Sequence, residues 1–179
     1  SALNKALKDI STEGTGDKST SSAAKGAASM ATAGSKNREK HGHKTKDYDT
    51  KLEKKDVVEH LTQDAGMTKE EAEKQADKIV ETEQRYLIES VARDSEAFFD
   101  VSTRKGLTLV LFNTNHVFYR NLLSKLPDKE LEVMQTAIAG FARVMNETTD
   151  ERRLTFLNTV RREWGLVISE FLEEKLDEF

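Results

Sequence analysis

The sequence has no cysteine and a single proline. Without thiols it has no disulfide framework, no thiolate nucleophile and no cysteine-based metal site, which fits a reducing setting; the expected location is cytoplasmic. No apolar run approaches the roughly 20 residues that a membrane-spanning helix needs. No charged start followed by an apolar segment marks a signal peptide. Hydrophobic residues make up 36% of the chain and charged residues 34%, a composition that suits a water-soluble protein with a modest core. Residues 1–50 carry nine Lys/Arg against six Asp/Glu, so the overall charge of -4 leaves -7 on the rest. An acidic folded part is a poor surface for nucleic acid, and the basic start is too diluted to form a strong phosphate-binding patch.

Leu3, Leu7 and Ile10 lie at helical spacing, so residues 1–10 hold one short helix, marginal unless it finds a partner. From Ser11 to Ser35 all but five residues are Ser, Thr, Gly or Ala, and Lys36–Asp49 has no aliphatic side chain. Such a stretch buries too little apolar surface to offset its chain entropy, and residues 11–49 are expected to be a disordered linker. Residues 50–179 form a single, mainly helical domain. Leu52, Val57, Val58 and Leu61 share a helical face, with Gly66 as a left-handed cap. Thr68 and Glu71 form a capping box for a helix running to about Gln84. Strands are expected near 85–91, 97–103 and 107–113, the last two joined through Arg104-Lys105-Gly106 as a hairpin. Three helices follow: one opened by Asn115 and stopped near Pro127, one from about Asp128 to Asn146, and a last one opened by Thr149 or Asp150. Leu154, Leu157, Trp164, Ile168, Phe171 and Leu172 are assigned to the buried face of that last helix. The expected fold is α+β and mainly α: a small antiparallel β-hairpin or three-stranded meander packed on a helical bundle, behind a disordered N-terminal segment.

Parts of an active site are hard to assemble. Gly14-Thr-Gly16-Asp-Lys18-Ser19 has one residue between its glycines where a phosphate loop needs four, and Asp precedes the lysine. His41, His43, His60 and His116 lack the spacing that puts two metal ligands on one helical face, and are expected to be surface or capping residues. The acidic residues fall on solvated helix faces, and Glu89 and Asp100 follow no spacing rule for a catalytic pair. Phe98, Phe99, Phe112, Phe118 and Tyr119 crowd one region, but with too few interleaved basic residues for nucleic-acid stacking; a core is expected instead. The most unusual polar cluster is Asn113-Thr114-Asn115-His116. It suits a strand-to-helix turn with an Asn or Thr cap, and it is also the candidate contact point for a partner domain.

Ser95-Glu-Ala-Phe-Phe-Asp-Val101, Leu109-Val-Leu-Phe-Asn-Thr-Asn-His116 and Phe118-Tyr119 together resemble a segment found downstream of the ATPase domain in bacterial ATP-binding proteins of the GHKL group, which includes gyrase B, heat-shock chaperones and histidine kinases. Asp150-Glu-Arg-Arg153 through Arg162-Glu-Trp164 is similar to that group's closing helices, so the resemblance covers about residues 85–175. Val117 stands where the group's turn has proline. The nucleotide site itself is missing: there is no Glu-x-x-x-Asn for magnesium, no Asp-x-Gly-x-Gly and no glycine-rich lid. The resemblance implies a non-catalytic C-terminal accessory domain, with no cofactor of its own, that relays nucleotide state, dimerises or holds a partner. Its implied partners are its own upstream ATPase domain, another protein or a second copy. Phe98, Phe112, Phe118, Trp164 and Phe171 would build the core, and Asn113, Thr114, Asn115 and His116 the interdomain contact. The rival readings are a self-standing helical adaptor for another protein, and weak nucleic-acid binding through the N-terminal segment.

Overall fold

A computed structural model describes residues 21–177, with side chains through Glu173. The short helix expected over residues 1–10 and the phosphate-loop-like residues 14–19 lie outside this range.

Over residues 22–40 the first described element replaces the disordered linker expected over 11–49, of which residues 11–20 lie outside the described range. Residues Ser22–Lys40 form α1, whose Ser21 cap accepts a hydrogen bond from the Ala24 amide. Ala23, Ala24, Ala27, Ala28, Thr32 and Ser35 make one buried face. The low content of large apolar residues suggested disorder, but alanine is the best helix former and loses no side-chain freedom on burial. Its small side chain also lets α1 lie close against its neighbours. Thr32 and Ser35 are satisfied across that seam: Arg85 donates its amide to Thr32 Oγ1, and Ser35 donates to the Tyr86 hydroxyl. At its end, Arg38 forks onto the Glu147 carboxylate at 2.7 and 2.9 Å, and Glu39 pairs with Arg85.

Lys54–Asp64 (α2) and Lys69–Glu81 (α3) follow, joined by a tight turn. Gly66 takes φ +67, and Met67 N–H reaches back to the Leu61 carbonyl, the expected left-handed closure. Thr68 and Glu71 exchange both bonds of a capping box. The strands are β1 (Tyr86–Val91), β2 (Phe99–Arg104) and β3 (Leu107–Asn113). Lys105 (φ 48) and Gly106 (φ +90) make the two-residue turn of the β2–β3 hairpin, both residues in the left-handed region that a primed turn requires.

The sheet is not a meander. Its order is β1-β3-β2, with β1 parallel and β2 antiparallel to β3. All seven residues of β3 are buried, as a strand covered on both faces should be. Leu87, Leu107, Leu109 and Leu111 pack against α2 and α3. Tyr86, Ile88, Phe99, Val110 and Phe112 face α1 and the helix Asp128–Glu147. The chain is therefore a mainly helical α+β fold in three layers.

Val117–Asn121 (α4), a 3-10 turn at Leu123–Lys125, Asp128–Glu147 (α5) and Glu151–Asp177 (α6) complete it. Among the described residues no helix is long and apolar enough to cross a membrane.

Candidate interaction surface

Because β1 and β2 flank β3, the connection 92–98 arches over the end of β3, and the Asn113–His116 turn sits beneath that arch. Asn113, 1% exposed, fastens it: Oδ1 accepts from the amides of Arg93 and Asn115, and Nδ2 donates to the carbonyls of Ser95 and Ala97 at 3.2 Å. Asn115 donates to the Arg93 carbonyl, and the Thr114 amide to Val91. The helix cap is His116, not Asn115 as the sequence suggested: its Nδ1 accepts the Phe118 amide at 3.0 Å. With Nδ1 an acceptor, Nε2 carries the proton, which it directs at the Gly165 carbonyl 2.9 Å away, with Ser169 Oγ at 3.0 Å. Burial holds this imidazole below its ordinary pKa, in the neutral form this bonding needs. Asn113 and His116 are thus committed inside the fold, and of the four turn residues Asn115 is the exposed one.

The same arch seats α6. A Cβ on Gly165 would lie 2.4 Å from the Glu96 carbonyl oxygen and 2.8 Å from Ala97 Cα, so only glycine allows the helix this close. One turn earlier Arg161, 8% exposed, donates to the Phe99 carbonyl at 2.7 Å and to Asp100 Oδ1 at 2.8 Å. Trp164 sets its edge against Phe98, ring centres 4.9 Å apart and planes at 88°. Phe98 in turn meets Phe118, so the crowded aromatics form a core around the junction.

The inward face of α6 differs from the expected one. Arg161 and Gly165 are buried and Leu154, Leu157, Asn158, Ile168, Ser169 and Leu172 half-buried, while Phe171 is 70% and Trp164 40% exposed. Phe171 is therefore not core, and Trp164 is core along one edge only. The polar contacts of Arg161 and Gly165 fix the rotation of the helix and leave Phe156, Trp164, Val167 and Phe171 exposed along the outside, with Val160 half-buried between them and Leu166, 40% exposed, beside the row. Phe156 is 66% and Val167 40% exposed. Three large aromatics along one face form an exposed apolar patch of the kind that marks an interaction site.

Other polar groups meet in clusters within the fold. His60 is 1% exposed, so it is neither a surface nor a capping residue. Its Nε2 lies 3.0 Å from Ser102 Oγ and 3.3 Å from Asp64 Oδ2. Ser102 gives its proton to Asp64 at 2.6 Å, and Arg104 pairs with the other carboxylate oxygen at 3.0 Å. A nucleophilic triad places His between Ser and Asp, one ring nitrogen on each. Here both partners share Nε2, Nδ1 has no partner, and Ser102 donates to the acid. The cluster binds α2 to β2. Burial outweighs the nearby Asp64 and pushes the His60 pKa down to about 4. The His60/Asp64 pair, four apart on one helix, is the signal in the sequence that could have revealed it. A cleft of ≈ 400 Å³ beside the 45–48 segment has a floor of Thr103, Thr108 and Asn146, which hydrogen-bond one another at 2.8–3.1 Å. His41 bonds the Asn37 carbonyl and His43 lies 3.9 Å from Glu147; among the described residues no group of three or more His, Asp or Glu could hold a metal ion.

Comparison with known protein families, with curated proteins and with solved structures finds no match to this chain.

Proposed function

We propose that the chain is a non-catalytic accessory module of a GHKL-type ATPase that works by protein–protein contact, with the outer face of α6 as its contact surface. The observation that carries this reading is the exposed row Phe156, Trp164, Val167, Phe171, held outward by polar contacts on the opposite side of the same helix. The ATPase association rests on the resemblance of residues 95–101 and 109–119. The Asn113–His116 turn serves this function from inside, as the seat of α6, with Thr114 and Asn115 left to touch a neighbouring domain.

The test is made in a longer chain that includes the ATPase domain. Val167→Arg and Phe156→Arg replace exposed apolar side chains, so the melting temperature of the module should stay within about 2 °C. ATP turnover or assembly should nevertheless fall severalfold. Unchanged turnover together with unchanged assembly would reject the surface.

A further inference from the structure

Resting on the reading of α6 as a contact surface, we infer that its occupant is the same helix of a second copy of this chain, packed antiparallel across a two-fold axis. The first observation is the spacing of the row. Phe156 and Phe171 are equidistant in sequence from a point between Glu163 and Trp164, and so are Val160 and Val167. A two-fold axis at that point lays Phe156 on Phe171 of the second copy and Val160 on its Val167, with the two Trp164 rings near the centre. An isologous interface requires a patch complementary to itself, and this row meets that condition.

The second observation is charge. Residues 152–162 carry Arg152, Arg153, Arg161 and Arg162 and no acid, whereas residues 163–173 carry Glu163, Glu170 and Glu173 and no base. Arg161 is spent inside on Asp100. Between Arg152 and Glu173 that leaves three exposed arginines followed by three exposed glutamates, with exposed Glu151 ahead of them in the first turn and Lys175 beyond them. About this axis residue 153 faces residue 174 and residue 152 faces Lys175 of the second copy, so the arginine pair lies one to two positions from its Glu173, and the two dipoles oppose. Parallel pairing would stack like charges at both ends, and an unrelated apolar partner would leave the polarity unused.

The exposed fractions of Phe156, Trp164 and Phe171 correspond to roughly 350 Å² of aromatic surface per copy. With the valines and flanking charged side chains the pair falls at the low end of specific interfaces, near about 1,000 Å² in total. The dimer is accordingly weak and reversible.

Sedimentation equilibrium of the full 179-residue chain over a concentration series tests this. The expected result is a monomer–dimer equilibrium that weakens severalfold as salt rises. Val167→Arg, with unchanged circular dichroism, should be monomeric. Arg152→Glu/Arg153→Glu and Glu170→Arg/Glu173→Arg should each be monomeric alone and dimerise when mixed, because both ends of the mixed pair are then complementary. In this cysteine-free chain, Glu163→Cys beside the axis should cross-link to itself and Thr155→Cys, one end away, should not. A monomer up to millimolar concentration overturns the self-pairing; if Val167→Arg still alters ATP turnover in the longer chain, the contact-surface reading survives it. A dimer indifferent to Val167→Arg overturns the pairing by placing the interface elsewhere, and efficient self-cross-linking of Thr155→Cys overturns the antiparallel arrangement.

Discussion

Gly165 lies inside α6, where alanine would ordinarily stabilise a helix by about 1 kcal/mol relative to glycine. The junction reverses that expectation. The alanine Cβ would sit 2.4 Å from Glu96 O, 2.8 Å from Ala97 Cα and 2.9 Å from Phe98 N, all backbone atoms of an arch held by Asn113. Carbon contacts relax only at about 3.5–4.0 Å, so α6 must withdraw by roughly 1 Å. Overpacking of this kind costs about 1–3 kcal/mol, and the withdrawal also stretches the 2.9 Å bond from His116 to the Gly165 carbonyl, worth about 1 kcal/mol. The clash therefore outweighs the propensity gain, and Gly165→Ala should destabilise the protein by about 1–3 kcal/mol.

Gly140 provides the matched control. It lies inside α5, and a Cβ there meets nothing within 4 Å, so Gly140→Ala should stabilise by about 0.5–1 kcal/mol. Urea unfolding followed by far-UV circular dichroism and by the fluorescence of Trp164 measures both, and Trp164 reports directly on the junction. A Gly165→Ala protein at least as stable as the parent, beside a Gly140→Ala protein that gains as expected, would refute the close seating of α6.

Ala27 is fully buried in α1, so Ala27→Leu should cost about 1–3 kcal/mol in chemical unfolding while Ala33→Leu on the exposed face is near neutral; equal effects would mean that residues 22–40 do not pack. For His60, the unfolded chain takes up a proton near pH 6.5 that the folded chain refuses until about pH 4. Stability should therefore decline on acidification through that window, by up to about 3 kcal/mol. His60→Gln should flatten most of the decline, leaving the smaller contribution of His116, whose pKa burial also lowers, and the loss below about 4.5 as Glu147 surrenders its Arg38 bond; an unchanged slope in unfolding titrations would show that His60 is not buried neutral. Asn113→Asp turns the donor facing the Ser95 and Ala97 carbonyls into an acceptor and should cost about 2–3 kcal/mol; a loss below about 0.5 kcal/mol would show that the arch does not depend on it.

The features legible in the sequence were those written by local backbone chemistry. Gly66, Thr68 with Glu71, and Lys105-Gly106 each demand a particular turn or cap, and each forms it. What stayed hidden depends on which partner lies across a seam. The α1 face looked too poor in apolar surface to fold because alanine contributes through close approach, and the closeness of α5 and β1 is not written in residues 22–40. The unbroken apolar run of β3 was a usable sign of a central strand, but adjacency in sequence favoured a meander. In α6 both the inner and the outer rows contain large apolar residues, so hydrophobic periodicity alone could not choose the buried one.

The choice in α6 is made by polar groups, and that links the turn to the surface. Burial of apolar area alone would roll α6 until Phe156, Val167 and Phe171 faced the core. Such a roll would tear Arg161 from the Phe99 carbonyl and Asp100, pull the Gly165 carbonyl away from His116, and drive side chains into the space that only a glycine allows. The roll would turn Arg161 toward solvent, so the loss is that of its charge-assisted hydrogen bonds, about 1.5–3 kcal/mol each. The gain from covering a few half-exposed side chains is similar in size, at roughly 25 cal/mol per Å² of apolar surface. The directional contacts tip that near balance and are already made in the isolated chain. Hydrophobic burial of the outer row is thus left incomplete in this chain, and the buried residues of the polar turn, Asn113 and His116, help determine which face of α6 is exposed, while Asn115 stays at the surface.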